Sequence, residues 1–432
     1  MYKNTNTNNT SNTNCVSIIV IGAGLIGPRH AEHVVNRPNT SLFAIVDHSA
    51  KGPSVAQRFQ VPLYKDLNEL FEYCDKYNVK YPDAAIIATP NHTHVPLGLH
   101  LASKGIHLLV EKPLSPNAQD SKTLIEFCKE KNVKLLIGHH RRFNPYIITC
   151  KENLPKLGQV VAVQGTWTLC KPDSYFEEKP WRSSQTLGGG ALLINLIHDL
   201  DNLQYLFGPV EKVYAELLMK QRAQRGSDVN AAVDEGAVLT LRFANGICGT
   251  FLCSDNVVSP FSFESGTGEN PTIPFNDEVA GFYRIFGSHG TLSVPDFKLY
   301  HQHNQPVRSW LNPVEEHQVK MAFEVQKEIE VEEQDDVVMF GIATPDNSPN
   351  TKEDNLFSHH SHVSSEKPKP FDLQVDHFVN LILGKETEVK CSGEDALRAL
   401  LCIEAVGKSI ETGLPQVVPS IDDIEMNMEL FT

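Results

Sequence analysis

Apolar residues in the first third of the chain form short, unbroken runs that are rich in valine, leucine and isoleucine. Runs of this kind are typical of strands that are buried on both faces of a parallel sheet. They occupy residues 16–21, 42–46, 83–89, 106–110 and 134–138. The segments between them are predicted to be helices, of which one ends near Asn36 and the others lie at 66–77, 95–104 and 116–131. This alternation predicts an α/β fold in which helices cover a parallel sheet.

The pattern changes after residue 145, where apolar and polar positions alternate with a period of two. Such alternation is typical of an antiparallel sheet with one buried face. It is found at residues 161–169, 237–243, 281–286 and 291–294. An apolar helix is predicted at 191–207, directly after Gly188-Gly-Gly190. The second part of the chain is therefore predicted to be a sheet packed with helices.

Two amphipathic helices are predicted near the end of the sequence. The first covers residues 371–382, and the second follows Ser392, a capping residue with Asp395 three positions later, and stops at Gly413. Residues 1–14 are predicted to be a disordered tail. Residues 255–280 and 301–370 lack periodicity and are predicted to be irregular insertions, the second with one charged edge strand at 328–332.

The overall composition fits two globular domains, which we place at residues 15–145 and 146–432. The net charge of −15 argues against binding to nucleic acid or to an anionic membrane surface. No apolar run approaches the ~18 residues that a membrane-spanning helix needs. The nine cysteines are scattered without a paired motif, so we expect reduced thiols and a cytoplasmic location.

A glycine-rich turn lies directly between the first strand and the first helix. Its glycines are Gly22, Gly24 and Gly27, which would allow a tight turn, a close approach of a pyrophosphate to the backbone of Leu25 and Ile26, and close packing of the helix. The helix N-terminus would then offer unpaired N–H groups to the phosphates. Asp47 ends the second strand about 20 residues after the last glycine, where a ribose hydroxyl is usually held. The turn predicts a dinucleotide-binding fold; the alternative is a glycine turn in an ordinary α/β sheet.

Ligands of parallel sheets bind at the carboxyl ends of the strands. That rule selects the residues that follow the remaining strands of the first domain. They are Thr89, Pro90 and Asn91, then Glu111 and Lys112, and then His139, His140, Arg141 and Arg142.

These motifs together resemble the Gfo/Idh/MocA oxidoreductases, the relatives of glucose–fructose oxidoreductase and inositol dehydrogenase. The resemblance rests on the glycine turn, on Thr89-Pro-Asn91-x-x-His94, on Glu111-Lys112-Pro113 and on Gly188-Gly-Gly190 followed by His198-Asp-Leu-Asp201. It implies a Rossmann domain followed by an α+β domain with a large, mostly antiparallel open sheet that joins copies of the chain into a homo-oligomer. It also implies NAD(P)-dependent oxidation or reduction of a sugar, a cyclitol or a related hydroxyl compound, and a cofactor role for His94.

The chemistry of hydride transfer gives Lys112 a role as the group that takes the hydroxyl proton or donates a hydrogen bond to the substrate oxygen. Burial beside a cofactor would disfavour its ammonium form. Glu111 would orient Lys112 or contact the nicotinamide ribose, and the resemblance suggests a cis bond between Lys112 and Pro113. The alternative for Lys112 is a solvated surface lysine before a turn.

His198 is the second candidate catalytic residue, because a histidine at this place in the family usually reaches the substrate hydroxyl. The alternative is a buried histidine that is satisfied by Asp199, Asp201 or a backbone carbonyl. Many family members carry an aspartate four residues earlier, where this chain has Ile194. Either Asn195 supplies a neutral hydrogen bond to the substrate instead, or Lys112 and His198 work alone.

Other polar residues leave alternatives open. Arg141, Arg142 and His140 are candidates to hold an anionic substrate group, and the alternative for the arginines is a solvated basic pair. The histidine pairs lack an accompanying ligand set, so we predict no metal. Asp47 favours NAD, whereas Ser49 and Lys51 would accommodate NADP.

Two further hypotheses on function remain. A non-catalytic regulator of the same fold, like the fungal galactose repressor, would bind the dinucleotide and a protein partner. A dihydrodiol or biliverdin-type reductase would share the fold and act on another substrate.

Overall fold

The computed structural model describes residues 15–185, 188–222, 233–321 and 369–431. The predicted tail at 1–14, most of the second insertion and its edge strand at 328–332 lie outside these residues. The described residues form two sheets, each with its own apolar core and its own helices. Among them, no helix is both long enough and apolar enough to span a bilayer.

The first sheet is a Rossmann-type sheet of six parallel strands. Its strands are β1 (Val16–Ile21), β2 (Thr40–Val46), β3 (Leu63–Tyr64), β4 (Ala84–Ile87), β5 (His107–Val110) and β6 (Leu135–Ile137). The helices between them are α1 (Gly27–Val35), α2 (Gly52–Phe59), α3 (Leu67–Tyr77), α4 (His94–Ser103) and α5 (Ala118–Glu130). The spatial order β3-β2-β1-β4-β5-β6 confirms the predicted parallel sheet. The sequence pattern missed α2, which opens with Gly-Pro, and the two-residue strand β3.

The second sheet has nine strands. They are β7 (Val160–Thr168), β8 (Val210–Leu217), β9 (Gly236–Phe243), β10 (Cys248–Ser254), β11 (Tyr283–Gly287), β12 (Gly290–Val294), β13 (Lys298–His301), β14 (Glu315–Gln318) and β15 (Gln416–Val417). Their order is β14-β13-β12-β11-β7-β10-β9-β8-β15, with β7 and β10 parallel and the other neighbours antiparallel. This confirms the predicted large, mostly antiparallel sheet. The prediction of two irregular insertions was wrong in part, because β14 lies within 301–370 and a helix at Phe263–Thr267 lies within 255–280.

Four shorter helices pack on the second sheet or lead into it. They are α6 (Pro145–Asn153), α7 (Asp173–Glu177), α8 (Ile197–Phe207) and α9 (Phe263–Thr267). The helix predicted at 191–207 is divided, because Leu192–Leu196 forms a π-helical turn before α8 begins. Single π-helical turns of this kind occur frequently at functional sites.

The last two helices return to the first domain. They are α10 (Pro370–Ile382) and α11 (Gly393–Thr412), and the second begins with the predicted capping box between Ser392 and Asp395. Val375 and Phe378 of α10 are fully buried in the core of the first sheet. The start of α11 joins that same core, whereas Cys402 and Val406 further along α11 belong to the core of the second sheet. These helices therefore connect the two cores.

Candidate active site

The glycine turn after β1 leaves a space beside the backbone at the carboxyl edge of the sheet. Gly22 has a φ of +103°, and a Cβ there would lie 2.5 Å from the carbonyl oxygen of Ala88. A Cβ on Gly27 would lie only 1.8 Å from the carbonyl oxygen of Gly22, so a side chain at either position would disrupt the turn. A Cβ on Gly24, by contrast, would meet no heavy atom within 4 Å. Gly24 therefore borders an open cradle.

The N-terminus of α1 faces this cradle without a side-chain cap. Its first N–H groups therefore remain available to an anion. The backbone of Leu25 and Ile26 leads into this turn, and the side chain of Leu25 is largely exposed. The cradle and the helix end fit a pyrophosphate group, as the sequence predicts.

Asp47 connects the end of β2 to the glycine turn. Its carboxylate accepts hydrogen bonds from the backbone N–H of Ala23 at 2.6 Å and from the backbone N–H of Ser49 at 2.7 Å. Burial alone would raise the pKa of Asp47, but hydrogen bonds from Ser49 and Ala23 outweigh burial and lower it. A fixed, ionised carboxylate thus stands beside the cradle, where it favours hydroxyl donors and repels phosphate.

The segment after β4 is held to the neighbouring corner by His94. The two ring nitrogens of His94 lie 2.9 Å from the carbonyl oxygens of Thr89 and Pro113. Its side chain is fully buried, so it has no exposed surface from which to touch a bound ligand. Asn91 has its amide nitrogen 3.6 Å from where a Cβ on Gly188 would stand, which puts Pro90 and Asn91 next to the triple glycine.

The corner after β5 carries Glu111 and Lys112, and the bond between Lys112 and Pro113 is cis. Glu111 Oε1 lies 2.7 Å from Nε2 of His30, a residue of α1. The ammonium group of Lys112 donates to the carbonyl oxygen of Ile194 at 3.2 Å. Burial lowers the pKa of Lys112 to about 8, against the opposing effect of Glu111. Lys112 is half-buried, and a pKa of about 8 leaves a fraction of its amine neutral at physiological pH.

His198 lies opposite this corner on the first turn of α8. Its ring centroid is 5.7 Å from that of His140 and 6.1 Å from that of His139, and its Nδ1 is buried without a hydrogen-bond partner. Burial, followed by the charges of Lys112 and Arg141, holds the pKa of His198 well below its ordinary value. The imidazole is therefore neutral at physiological pH, and its unpartnered Nδ1 is available for a hydrogen bond.

The π-helical turn places Asn195 beside a residue that the sequence reasoning missed, Lys171. The Lys171 ammonium donates to Asn195 Oδ1 at 2.7 Å and pairs with Asp255 at 3.2 Å. Because an ammonium group can only donate, it occupies the amide oxygen and leaves the amide nitrogen of Asn195 as the donor toward a ligand. Lys171 lies three residues after the end of β7, and this position near a strand end was the available signal.

Arg142 lies in a buried ion network rather than in the open crevice. Its guanidinium group donates to both carboxylate oxygens of Asp201, at 2.9 and 2.7 Å, and to the carbonyl oxygen of Lys390, and it pairs with Asp395 at 3.1 Å. A substrate group would have to displace one of these protein acceptors. The guanidinium donors of Arg142 are therefore already used by protein groups, which argues against the predicted role in substrate binding.

Removal of this guanidinium group should be strongly destabilising. Arg142→Met leaves Asp201 buried without its charged partner, and breaking a buried pair in this way costs about 3–5 kcal/mol. The matched control is Arg242→Met, because Arg242 is half-exposed and its nearest carboxylate, on Glu211, lies 3.9 Å away. Urea unfolding should show the large loss for the first variant and a change below about 1 kcal/mol for the second. Equal stabilities would contradict the assigned role.

His140 and Arg141 are also tied to protein partners. His140 Nε2 lies 3.1 Å from Glu269, and its ring stacks on Phe371 of α10 with centroids 4.6 Å apart. Arg141 is almost fully buried and pairs with Glu264 and Glu269. In the described part of the chain, no group of three or more histidine, cysteine or acidic side chains is arranged to hold a metal.

Comparison with known domain families assigns both halves of the chain. Residues 16–139 match the NAD-binding Rossmann domain of the Gfo/Idh/MocA oxidoreductases, and residues 151–418 match the C-terminal α/β domain of the same family. The chain belongs to the Gfo/Idh/MocA family. The predicted resemblance is thereby confirmed.

Two curated family members illustrate the range of relatives. Myo-inositol 2-dehydrogenase of Thermotoga maritima is 32% identical over 240 residues, which cover 53% of this chain and 66% of that protein. Levoglucosan dehydrogenase of Pseudarthrobacter phenanthrenivorans is 26% identical over 189 residues, which cover 39% of this chain and 48% of that protein. The matched stretch thus spans about half to two-thirds of the length of these relatives.

The fold of this family member also agrees with solved structures. A levoglucosan dehydrogenase in complex with NADH superposes with a TM-score of 0.68 over 94% of this chain and 99% of that chain, at 19% identity. The superposition shows a shared fold, and an identity of 19% supports no more than that.

Proposed function

We propose that this chain is an NAD(P)-dependent oxidoreductase that transfers a hydride between nicotinamide and a carbon bearing a hydroxyl or carbonyl group. The substrate class is a sugar, polyol or cyclitol, as the names of the matched dehydrogenases suggest. One observation carries the proposal. His30, on the helix that begins at the glycine turn, contacts Glu111 at 2.7 Å, so the turn and the neighbouring Lys112 border one crevice.

The residues at this crevice fit a nicotinamide dinucleotide. Gly22, Gly24 and the N-terminus of α1 would hold the pyrophosphate, and Asp47 would accept hydrogen bonds from the adenosine ribose. The bound nicotinamide would supply the hydride acceptor or donor. The ionised carboxylate of Asp47 favours NAD over NADP, because it would repel a 2′-phosphate.

Lys112 and His198 would handle the proton of the substrate hydroxyl. In the neutral form, the Lys112 amine accepts this proton at Nζ as the carbonyl forms. His198 is neutral as well, and it would hydrogen-bond the same oxygen or carry the proton onward. The amide nitrogen of Asn195, turned outward by Lys171, would donate to a second substrate oxygen.

The pH dependence of turnover should follow the protonation of Lys112, whose pKa lies at about 8. Alcohol oxidation needs the neutral amine, so its kcat/KM should rise about tenfold per pH unit until the pH reaches this pKa and then level off. Carbonyl reduction needs the ammonium form, so its kcat/KM should be constant below the pKa and fall above it. Profiles of both directions check this, and two profiles of the same slope would contradict it.

The direct test of the proposal is a substrate screen. Purified full-length protein is incubated with NAD or NADP and with polyols, aldoses and inositols, and the absorbance of the reduced nicotinamide is followed. Turnover of at least one compound is expected. Binding of the dinucleotide by calorimetry without any turnover would favour the regulator of the same fold, for which Ile194 at the usual aspartate position is the supporting feature.

The assembly and the location are part of the same proposal. The outer face of the second sheet exposes Val238 and Phe286, and we infer that a second copy of the chain covers this face. All nine cysteines are free thiols, which supports a reducing, cytoplasmic compartment.

A further inference from the structure

A second cavity lies away from the proposed active site, at the junction of the two domains. Its volume is about 730 Å³. The connection between α10 and α11 forms one wall, and the other walls come from Lys151 of α6, from Gln204 and Tyr205 of α8, and from Arg142. Tyr205 follows His198 by about two turns of α8, a distance of about 10 Å along the helix. The cavity is therefore distinct from the crevice at Lys112.

The cavity is lined by more positively than negatively charged side chains. Lys151, Lys385 and Lys390 line it, and none of the three forms an ion pair with a residue in the described ranges. The Lys151 ammonium lies 3.4 Å from the centre of the Tyr205 ring, where the aromatic face holds it. Three lysine side chains thus line one concave surface of a protein whose net charge is −15.

The carboxylates of the cavity cancel this charge only in part. Glu386 is occupied by His377 and by the amide of Asn380, and Asp395 is occupied by Ser392, Arg398 and Arg142. Glu388 is the remaining acidic residue of the lining, and it has no ion-pair partner among the described residues. With Arg142 balanced by Asp201 and Asp395 by Arg398, the three lysines stand against Glu386 and Glu388, which leaves an excess of one positive charge.

A buried hydrogen-bond donor in the same lining lacks a partner. The Gln204 side chain is 8% exposed, and its Oε1 accepts from the backbone N–H of Val210 at 3.2 Å. Its Nε2 is buried without an acceptor. Unsatisfied buried donors are uncommon in folded proteins and are stabilised when an acceptor becomes available.

We propose that this cavity is a binding site for a small dianion, namely a phosphate group or a phosphate ester. Lys151, Lys385 and Lys390 supply the charge, and Gln204 supplies a neutral donor. The sequence selected Arg142 as a residue that holds an anionic substrate group. Arg142 also lines this cavity, but its donors stay on Asp201, Asp395 and the carbonyl oxygen of Lys390, and Asp201 balances its charge.

The test is calorimetric titration of the full-length protein with inorganic phosphate at constant ionic strength. Saturating NAD is present, so that the glycine turn does not compete for the anion. Glucose 6-phosphate is titrated in a second arm to separate a free anion from an ester. Saturable binding of either probe at one site is expected, and the tighter of the two identifies the source.

Variants decide whether binding occurs in this cavity. The double variant Lys151→Gln, Lys385→Gln should weaken phosphate binding about 100-fold, because each charged contact contributes roughly a factor of ten. The matched control Lys156→Gln, Lys408→Gln removes the same charge from exposed positions outside the cavity and should change the affinity less than about twofold. Absence of saturable binding, or equal weakening in both double variants, would overturn the proposal. The comparison holds even if the protein does not bind NAD.

Discussion

Replacement of Lys112 by alanine should lower turnover about 1,000-fold, within the range typical for removal of a general acid or base. The lysine amine is the group placed to take the hydroxyl proton, and water at the vacated position would be a poorly positioned substitute. Dinucleotide affinity should change less than about threefold, because the cradle at Gly24 and the carboxylate of Asp47 are untouched. Steady-state kinetics and a fluorescence titration with reduced dinucleotide measure the two quantities.

Two companion variants make this result specific. Lys112→Arg keeps the positive charge, but a guanidinium group does not deprotonate in the accessible pH range, so alcohol oxidation should be lost to a similar degree. Lys65→Ala removes an exposed lysine of the same domain and should leave kcat and KM unchanged. Full activity of Lys112→Ala would exclude the assigned proton transfer, whereas loss of dinucleotide binding in that variant would point to a structural role instead.

Replacement of Gly24 by valine should weaken dinucleotide binding strongly without unfolding the protein. No heavy atom lies within 4 Å of the position that a Cβ would take, so the valine side chain would occupy the cradle and not clash with the fold. Steric conflict with a bound pyrophosphate should cost about 2–3 kcal/mol, which weakens binding roughly 100-fold. Calorimetry gives the affinity, and thermal unfolding should show a Tm close to that of the unaltered protein.

Gly27→Ala provides the contrast. Its Cβ would lie 1.8 Å from the carbonyl oxygen of Gly22, so this variant should lose stability as well as binding. Within one turn, Gly24 therefore leaves room for a ligand, whereas Gly27 is needed for the packing of the turn itself. Unaltered affinity in Gly24→Val would show that a dinucleotide, if bound at all, does not pass this cradle.

The parallel sheet was predictable because its strands are unbroken apolar runs, and such a run indicates a buried strand without any knowledge of the strands beside it. The second sheet was predictable in type and incomplete in detail. β10 contains a glycine, which is depleted in strands, and β8 has Glu211 and Lys212 side by side near its start, so neither has a clean alternation. α2 spans eight residues and opens with glycine, so it gave too little periodicity to be recognised.

The site could be predicted where it consists of local sequence and not where it depends on tertiary contacts. The glycine turn, Asp47 and the Lys112 corner are short motifs at strand ends, and the structure brings them to one edge. The partners of Arg141 could not be predicted, because Glu264 and Glu269 come from a segment without periodicity that is distant in sequence. The burial of His94 depends on a carbonyl group contributed by the neighbouring loop.

The shared core described for the last two helices affects how the protein is made. A ribosome completes every strand of the Rossmann sheet long before it adds Val375, Phe378 and Leu397, which fill the same core. The emerging nucleotide half therefore keeps an uncovered apolar surface while the whole second domain is being synthesised, a state that favours aggregation or chaperone capture. A premature stop codon before α10 would consequently damage the half of the protein that was translated first.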